Sequence, residues 1–317
     1  MPDPATVGVL SNPAGRHNAR GGLRAVEAVL ATAPAVVHRL AREPRAMETA
    51  LAELAAAGVR QLAVNGGDGT VQAVLTTLAL RSPFVSPPQL LLLAGGTTNM
   101  SARDIGSHGR PGALLRALLA GRLVVTPRRV LTVREADGTA RCGFFLTAGG
   151  LPQAVRDCRA FREHARLPGL RSALGTALWV SGRVLRLLVG RASFQSQPID
   201  WRTEGAPRRH CDALVLLATT HRRLALGLRP WWGAGAGSIN VTAIGRPARR
   251  LALALPGVLR GRPPAWAGVE AGYASCRTDA LELTAAGGYA LDGEDYLSPA
   301  ATRLRIDAGP TFEFLRP

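Results

Sequence analysis

Val64-Asn65-Gly66-Gly67-Asp68-Gly69-Thr70 is the stretch on which the reading of this chain turns. The apolar run Gln61 to Val64 before it reads as a short buried strand, and Val71 to Leu80 after it reads as a helix. A strand, a tight loop and a helix N-terminus in that order suit a phosphate. Glycines let a ligand approach the backbone, and the first N–H groups of a helix carry partial positive charge. The carboxylate of Asp68 would repel a phosphate unless a divalent cation or an acceptor hydroxyl stands between them, so the combination points to a magnesium–nucleotide site. The plainer alternative is a βα turn in which glycine makes the bend and Asp68 or Thr70 caps the helix. Taken alone, the stretch leaves both open.

Working outward, the pattern repeats. Thr6 to Leu10 is an apolar strand ending in Ser11-Asn12-Pro13-Ala14-Gly15-Arg16, a second candidate phosphate loop. Gly22 to Ala31 reads as a helix, Val36 to Leu40 as a strand, and Arg45 to Ala57 as an alanine-rich helix closed by Gly58. Gln89 to Leu93 is a third apolar run, breaking into Ala94-Gly95-Gly96-Thr97-Thr98-Asn99. Short, wholly apolar strands alternating with helices argue for a doubly wound, mostly parallel sheet covered on both faces, with functional loops at the C-terminal strand ends. Three such ends, at Asn12, Asn65 and Gly96, carry glycine and small polar residues.

From about Pro127 the character changes. Val130 to Glu135, Arg141 to Thr147, Cys211 to Thr219, Ile239 to Ile244, Ala280 to Thr284, Tyr289 to Leu291 and Arg303 to Ile306 read as short strands between turns. They predict an antiparallel, β-rich second domain, with domains at 1–125 and 126–317. Leu151 to Arg191 is a largely helical insertion in which Arg156, Arg159, Arg162 and Arg166 fall along one helix face. Such a face either docks on an anionic membrane or is a solvated arginine face. Trp231 and Trp232 beside Arg229 suit either an apolar lipid entrance or the core.

Composition narrows the partners. With 317 residues and 47% hydrophobic content the chain can bury two cores, and its net charge of +17 favours anionic partners. There is no lysine, so all 39 basic residues are arginine, which excludes a Schiff-base lysine and a Walker-type loop. Cys142, Cys158, Cys211 and Cys276 are too dispersed for a zinc site or a disulfide framework, which suggests a reducing compartment. Met1 to Leu10 lacks the pattern of a secretory signal, so a cytoplasmic location is expected. Ala173 to Val189 is the most membrane-like stretch, but Arg183 and Arg186 near its middle argue against spanning. With 5% aromatic residues and no recognised reading motif, nucleic acid is not an expected partner.

Asn12-Pro13 with Gly15, Gly66-Gly67-Asp68-Gly69-Thr70, Gly96-Thr97-Thr98-Asn99 followed by Ala102-Arg103 and Gly106, and Asp292-Gly293-Glu294 occur in that order. The set resembles the bacterial diacylglycerol kinase family of lipid kinases, related to sphingosine and ceramide kinases and more distantly to NAD kinases and phosphofructokinases. The early Asn-Pro turn and the late Asp-Gly-Glu separate it from NAD kinases, whose Gly-Ser-Thr-Ala-Tyr stretch is missing. The resemblance implies an α/β domain binding ATP, a β-rich domain for the lipid, and a cleft between them where the lipid hydroxyl is phosphorylated. By it, Asn12, Gly66, Gly67, Asp68, Gly69, Thr70, Gly96, Thr97 and Asn99 contact the nucleotide, and Asp68 holds Mg2+. Glu294, with Asp292 beside it, is the base or hydroxyl-orienting carboxylate. Peripheral contact with an anionic membrane at its inner face and a homodimer are the assemblies kept open.

The chain also departs from that family. Met100 stands where an aspartate is usual and Ala73 where a glutamate is usual, while Arg229 to Ser238 contains no carboxylate where many members hold a structural magnesium. Two readings follow: an active, divergent lipid kinase keeping Asp68 and Glu294, or a catalytically weak or inactive relative that binds nucleotide or lipid. An NAD kinase-like enzyme is a further alternative.

Overall fold

Three apolar runs build the centre of the first part of the chain: β1 (Val7–Ser11), β3 (Gln61–Gly66) and β4 (Gln89–Ala94). In the computed structural model, which describes residues 6–15, 17–95, 99–164 and 195–317, they pair in parallel with β2 (Val37–Leu40) in the order β2-β1-β3-β4. The end of β15 (Thr302–Arg316) adds a fifth parallel strand, Phe314 pairing with Leu90 of β4. Helices α2 (Pro44–Ala56) and α3 (Asp68–Leu80) cover one face, where Leu51, Leu54, Val71 and Leu75 meet Leu10, Leu62, Val64, Leu90 and Leu92. Helices α1 (Leu23–Leu30) and α5 (Pro111–Leu119) cover the other, where Val26, Val29, Leu115 and Leu118 meet Val9, Ala63, Leu91 and Leu93. Alternate residues of one strand thus enter opposite cores, which is why these strands read as unbroken apolar runs.

The chain divides into two compact units, the first made of Met1–Phe144, Thr220–Gly227 and Asp307–Pro317. The border expected at 125/126 is not where these units separate. Strands β5 (Val124–Glu135) and β6 (Ala140–Gly143) form a hairpin whose Val130 and Cys142, with the adjacent Phe144, are buried in the first unit's core. The Thr76 hydroxyl of α3 accepts from the Cys142 N–H at 2.9 Å, fastening this hairpin to the helix.

The second unit, Phe145–Thr219 and Leu228–Ile306, is antiparallel as expected. The central strand β9 (Arg209–Thr219) pairs with β7 (Phe145–Ala148), β8 (Gln197–Thr203) and β10 (Ile239–Gly245). Strands β11 (Tyr273–Thr278) and β12 (Ala280–Ala285) add to β10 and β8, and β13 (Tyr289–Leu291) joins β7 to β14 (Glu294–Tyr296). The helical insertion begins as α6 (Leu151–His164), and the rest of that insertion, with Arg166, lies outside the described residues. A last helix, α7 (Leu251–Leu259), covers a small core of Ile244, Ala254, Val258 and Tyr273, against which Trp232 packs. No helix among the described residues is long and apolar enough to cross a membrane.

Candidate active site

In a sheet ordered β2-β1-β3-β4 the winding direction reverses between β1 and β3. The crevice outside the C-terminal ends of those two strands is where such a sheet receives a ligand, because the connections on either side leave in opposite directions. The loops after β1 and β3 are the two that carry the Asn12 and Gly66 motifs.

A hydrogen-bond network ties them together. The Asn12 N–H donates to the Asn65 carbonyl at 2.9 Å, and the Asn12 amide nitrogen donates to the Thr70 hydroxyl at 3.0 Å. Its Oδ1 accepts the Ala14 N–H at 2.9 Å, which folds the loop into an Asx turn. Buried Asn18 donates to the carbonyls of Asn12 and Asn65, and Gly95 at the end of β4 donates to the Gly66 carbonyl at 3.0 Å. A Cβ on Gly66 would lie 2.5 Å from the Cβ of Thr70, and one on Gly95 would lie 2.9 Å from the Gly66 nitrogen. These two glycines are required by contact within the protein, where the sequence suggested approach to a ligand. Gly67 is the N-cap of α3, with an extended backbone. Asp68, Gly69 and Thr70 form its first turn, whose N–H groups have no carbonyl one turn earlier to bind. Gly96 and Thr97 lie outside the described residues.

Asp68 is bound within the protein. Its Oδ2 accepts the Met100 N–H and its Oδ1 accepts the Ser101 N–H, each at 3.2 Å, so the half-buried carboxylate caps α4 (Met100–Ile105) from another helix. Asn99, the residue before that helix, adopts a left-handed backbone at φ 47° and offers it no side-chain cap. Met100, which stands where the resemblance led one to expect an aspartate, gives its backbone N–H to the Asp68 carboxylate. Ala73 packs at the margin of the core around Leu75 and Val71.

Beneath α4 lies a buried ionic cluster that the sequence did not announce. Asp104 pairs with Arg128, accepts the backbone N–H of Arg222 at 3.1 Å and of Arg223 at 2.8 Å, and meets His221 Nδ1 at 3.1 Å. The side chains of Asp104, Arg128 and His221 are 2%, 5% and 0% exposed, so the Asp104 and Arg128 charges depend on their partners. The cluster recruits the returning segment Thr220–Gly227 to α4, and His221 stacks on Phe144 at 5.1 Å. Burial and the positive Arg128 push the His221 pKa down to about 3, so the ring is neutral, with Nδ1–H directed at Asp104. An unfolded histidine protonates near pH 6.5, so this ring contributes stability that is complete above about pH 6.5 and is lost as pH falls toward 3. Urea unfolding between about pH 6.5 and 5, above the ordinary carboxylate range, is expected to show that decline, and His221→Phe is expected to flatten it while keeping the ring stack.

In the second unit, Asp292 and Gly293 are the two central residues of the β13–β14 hairpin, with φ of 49° and 86°, the pattern of a type I′ turn. Asp292 is buried, donates its N–H to the Phe145 carbonyl at 2.8 Å and accepts the Phe145 N–H through Oδ1 at 2.9 Å. Its carboxylate stands in for a backbone carbonyl in the β13–β7 ladder, a positioning role. Glu294, which opens β14, is exposed. Arg156 of α6 is held by Gln153 at 2.7 Å and Asp295 at 3.6 Å, so this member of the arginine face is engaged within the protein. The segment from Arg229 to Ser238 lies flat on β11: Cβ atoms on Gly233, Gly235 and Gly237 would come within 2.3 Å of backbone atoms of Ser275, Arg277 and Thr278. Trp232 and Gly233 donate their N–H groups to the Ser275 hydroxyl at 3.2 and 3.1 Å. Among the described residues no group of three or more His, Cys, Asp or Glu is placed to hold a metal.

The first unit is therefore a doubly wound α/β domain whose switch-point loops surround a helix N-terminus and one carboxylate. Residues 6–126 match the diacylglycerol kinase catalytic domain. The whole fold agrees with two solved structures from Bacillus anthracis str. Sterne assigned as diacylglycerol kinases. One is 16% identical with a TM-score of 0.65, covering 98% of this chain and 95% of the other; the second is 14% identical with a TM-score of 0.61, covering 98% and 97%. No curated protein matches the sequence.

Proposed function

We propose that the protein transfers the γ-phosphoryl group of ATP to the hydroxyl of a lipid such as diacylglycerol. The observation that carries the reading is the presentation of Asp68 at the N-terminus of α3, beside the switch-point loops of Asn12 and Gly66. The free amides of the first turn of α3 suit nucleotide phosphates, and Asn12 and Thr70 hold the loops in register for them. Asp68 has lone pairs left after capping α4, and one carboxylate together with substrate phosphates is a donor set that Mg2+ accepts. Bound there, the ion would neutralise charge on the transferred group. The acceptor oxygen attacks the γ-phosphorus, the bond to the bridging oxygen of ADP breaks, and Glu294 takes the hydroxyl proton. Asp292 keeps Glu294 in place by locking the hairpin to β7.

Incubation with labelled ATP and Mg2+ against a total lipid extract, with NAD as a parallel acceptor, tests the proposal. Label in a lipid supports it, label in NAD replaces it with an NAD kinase-like reaction, and ATP binding without label favours a binding module. Glu294→Gln is expected to lower turnover by about 10²–10⁴-fold with ATP affinity unchanged. Equal losses of both would move Glu294 into nucleotide binding.

A further inference from the structure

The helix α7, Leu251-Ala252-Leu253-Ala254-Leu255-Pro256-Gly257-Val258-Leu259, contains no polar side chain, although it lies on the surface of the second unit. Ala254 and Val258 face the core, one turn apart, while Leu253 is 67% exposed and Pro256 is exposed beside it. A surface helix ordinarily turns polar residues outward; this one turns apolar residues outward. The loop that follows adds Trp266, 39% exposed, and Val269, 57% exposed. Around this apolar centre stand exposed Arg249 and Arg250 before the helix and Arg260 and Arg262 after it. Residues 246–270 hold five arginines and one carboxylate, Glu270. Arg249, Arg250, Trp266, Val269 and Glu270 line one open cavity of about 430 Å3, where the Arg250 guanidinium lies over the Trp266 ring at 5.9 Å from its centroid.

We infer that this face of the second unit docks on an anionic phospholipid bilayer, with Leu253, Trp266 and Val269 entering the acyl boundary and the flanking arginines binding headgroup phosphates. Charge complementarity selects an anionic partner, and the exposed aliphatic centre selects a bilayer over a nucleic acid, whose phosphate backbone offers nothing for Leu253 and Val269 to enter. Trp266, apolar in body and polar at the indole N–H, suits the headgroup level between the two. Leu251 and Leu255 are partly covered, so the exposed side chains stand on a helix already packed against its own core and need no rearrangement to insert. This placement differs from the arginine face of α6, where Arg156 is already engaged by Asp295.

Sedimentation of the full chain with phosphatidylcholine vesicles containing phosphatidylglycerol, and with pure phosphatidylcholine vesicles, tests this without turnover, so its outcome is separate from that of the proposed reaction. Binding is expected to the anionic vesicles, to weaken with salt, and to fall about tenfold or more in Leu253→Asp and in the double variant Arg249→Gln/Arg250→Gln, while Arg159→Gln/Arg162→Gln binds like the wild type. Brominated acyl chains are expected to quench tryptophan emission in the wild type and less in Trp266→Phe, a readout that stands even if Leu253→Asp does not fold. No binding, equal binding to neutral vesicles, unchanged binding in the Arg249/Arg250 variant, loss confined to the Arg159/Arg162 variant, or quenching undiminished in Trp266→Phe would each overturn the assignment.

Discussion

Asp68→Ala is expected to reduce phosphoryl transfer by roughly 10²–10³-fold, the scale of removing one preorganised charge-stabilising group from an active site. The same change is expected to cost about 1 kcal/mol of stability, because it uncaps α4 by leaving the Met100 and Ser101 N–H groups without the carboxylate. A loop aspartate of this kind would be expected from the sequence to leave the fold untouched when replaced; its contact with α4 changes that expectation. Asp68→Asn separates the two roles. The asparagine oxygen still accepts an N–H from α4 and should restore most of the lost stability, but it brings no charge to a cation or to phosphates. Turnover of Asp68→Asn at the wild-type rate would leave Asp68 a cap and nothing more. Denaturation midpoints and single-turnover transfer of label, measured on both variants, supply the comparison.

Arg128→Met is the change with the largest expected effect on stability, about 3–5 kcal/mol, because it strands Asp104 as a buried charge among groups arranged for an ion pair. The methionine keeps the aliphatic volume, so the loss reports charge and not a cavity. Adding Asp104→Asn should recover a large part of it, since a neutral amide can be buried at lower cost and still accept from Arg222 and Arg223. The cluster joins α4 to residues 220–223, so its disruption should also expose Thr220–Gly227 to proteolysis before the rest of the first unit. A denaturation midpoint for Arg128→Met within error of the wild type would show that His221 and the two backbone amides satisfy Asp104 without it.

The strands of the parallel sheet were legible because burial on both faces forces unbroken apolar runs, and the loops were legible because glycine and small polar residues ended each run. Helix α3 proved three residues longer than Val71 to Leu80, beginning at Asp68, since an N-terminal first turn of Asp-Gly-Thr carries no apolar period to detect. Strands β8 and β11 are absent from the sequence reading: Gln197–Thr203 alternates only over the short run from Ile199 to Thr203, Tyr273–Thr278 does not alternate, and pairing with β9 and β12 for β8 and with β10 for β11 stabilises them. The last strand was read as Arg303 to Ile306 and runs from Thr302 to Arg316, since Gly309-Pro310 looks like a break when strand pairing is unknown.

The order of the loops along the chain and the chemistry of their residues are local properties, and they were enough to point to the diacylglycerol kinase catalytic domain that residues 6–126 match. Which carboxylates are at liberty to act is not local. Asp68 meets Met100 across 32 positions and Asp292 meets Phe145 across 147, so both carry backbone duties that no spacing rule reveals. Asp104, Arg128 and His221 are unremarkable as isolated letters, and only folding brings them together out of water, where the charges of Asp104 and Arg128 must be matched and the neutral ring must be hydrogen-bonded. The stretch from Asn65 to Thr70 suggested a phosphate loop from its glycines. Its folded form shows that Gly66 makes room for Thr70, and the first turn of α3 with Asp68 upon it is the part proposed to meet a nucleotide.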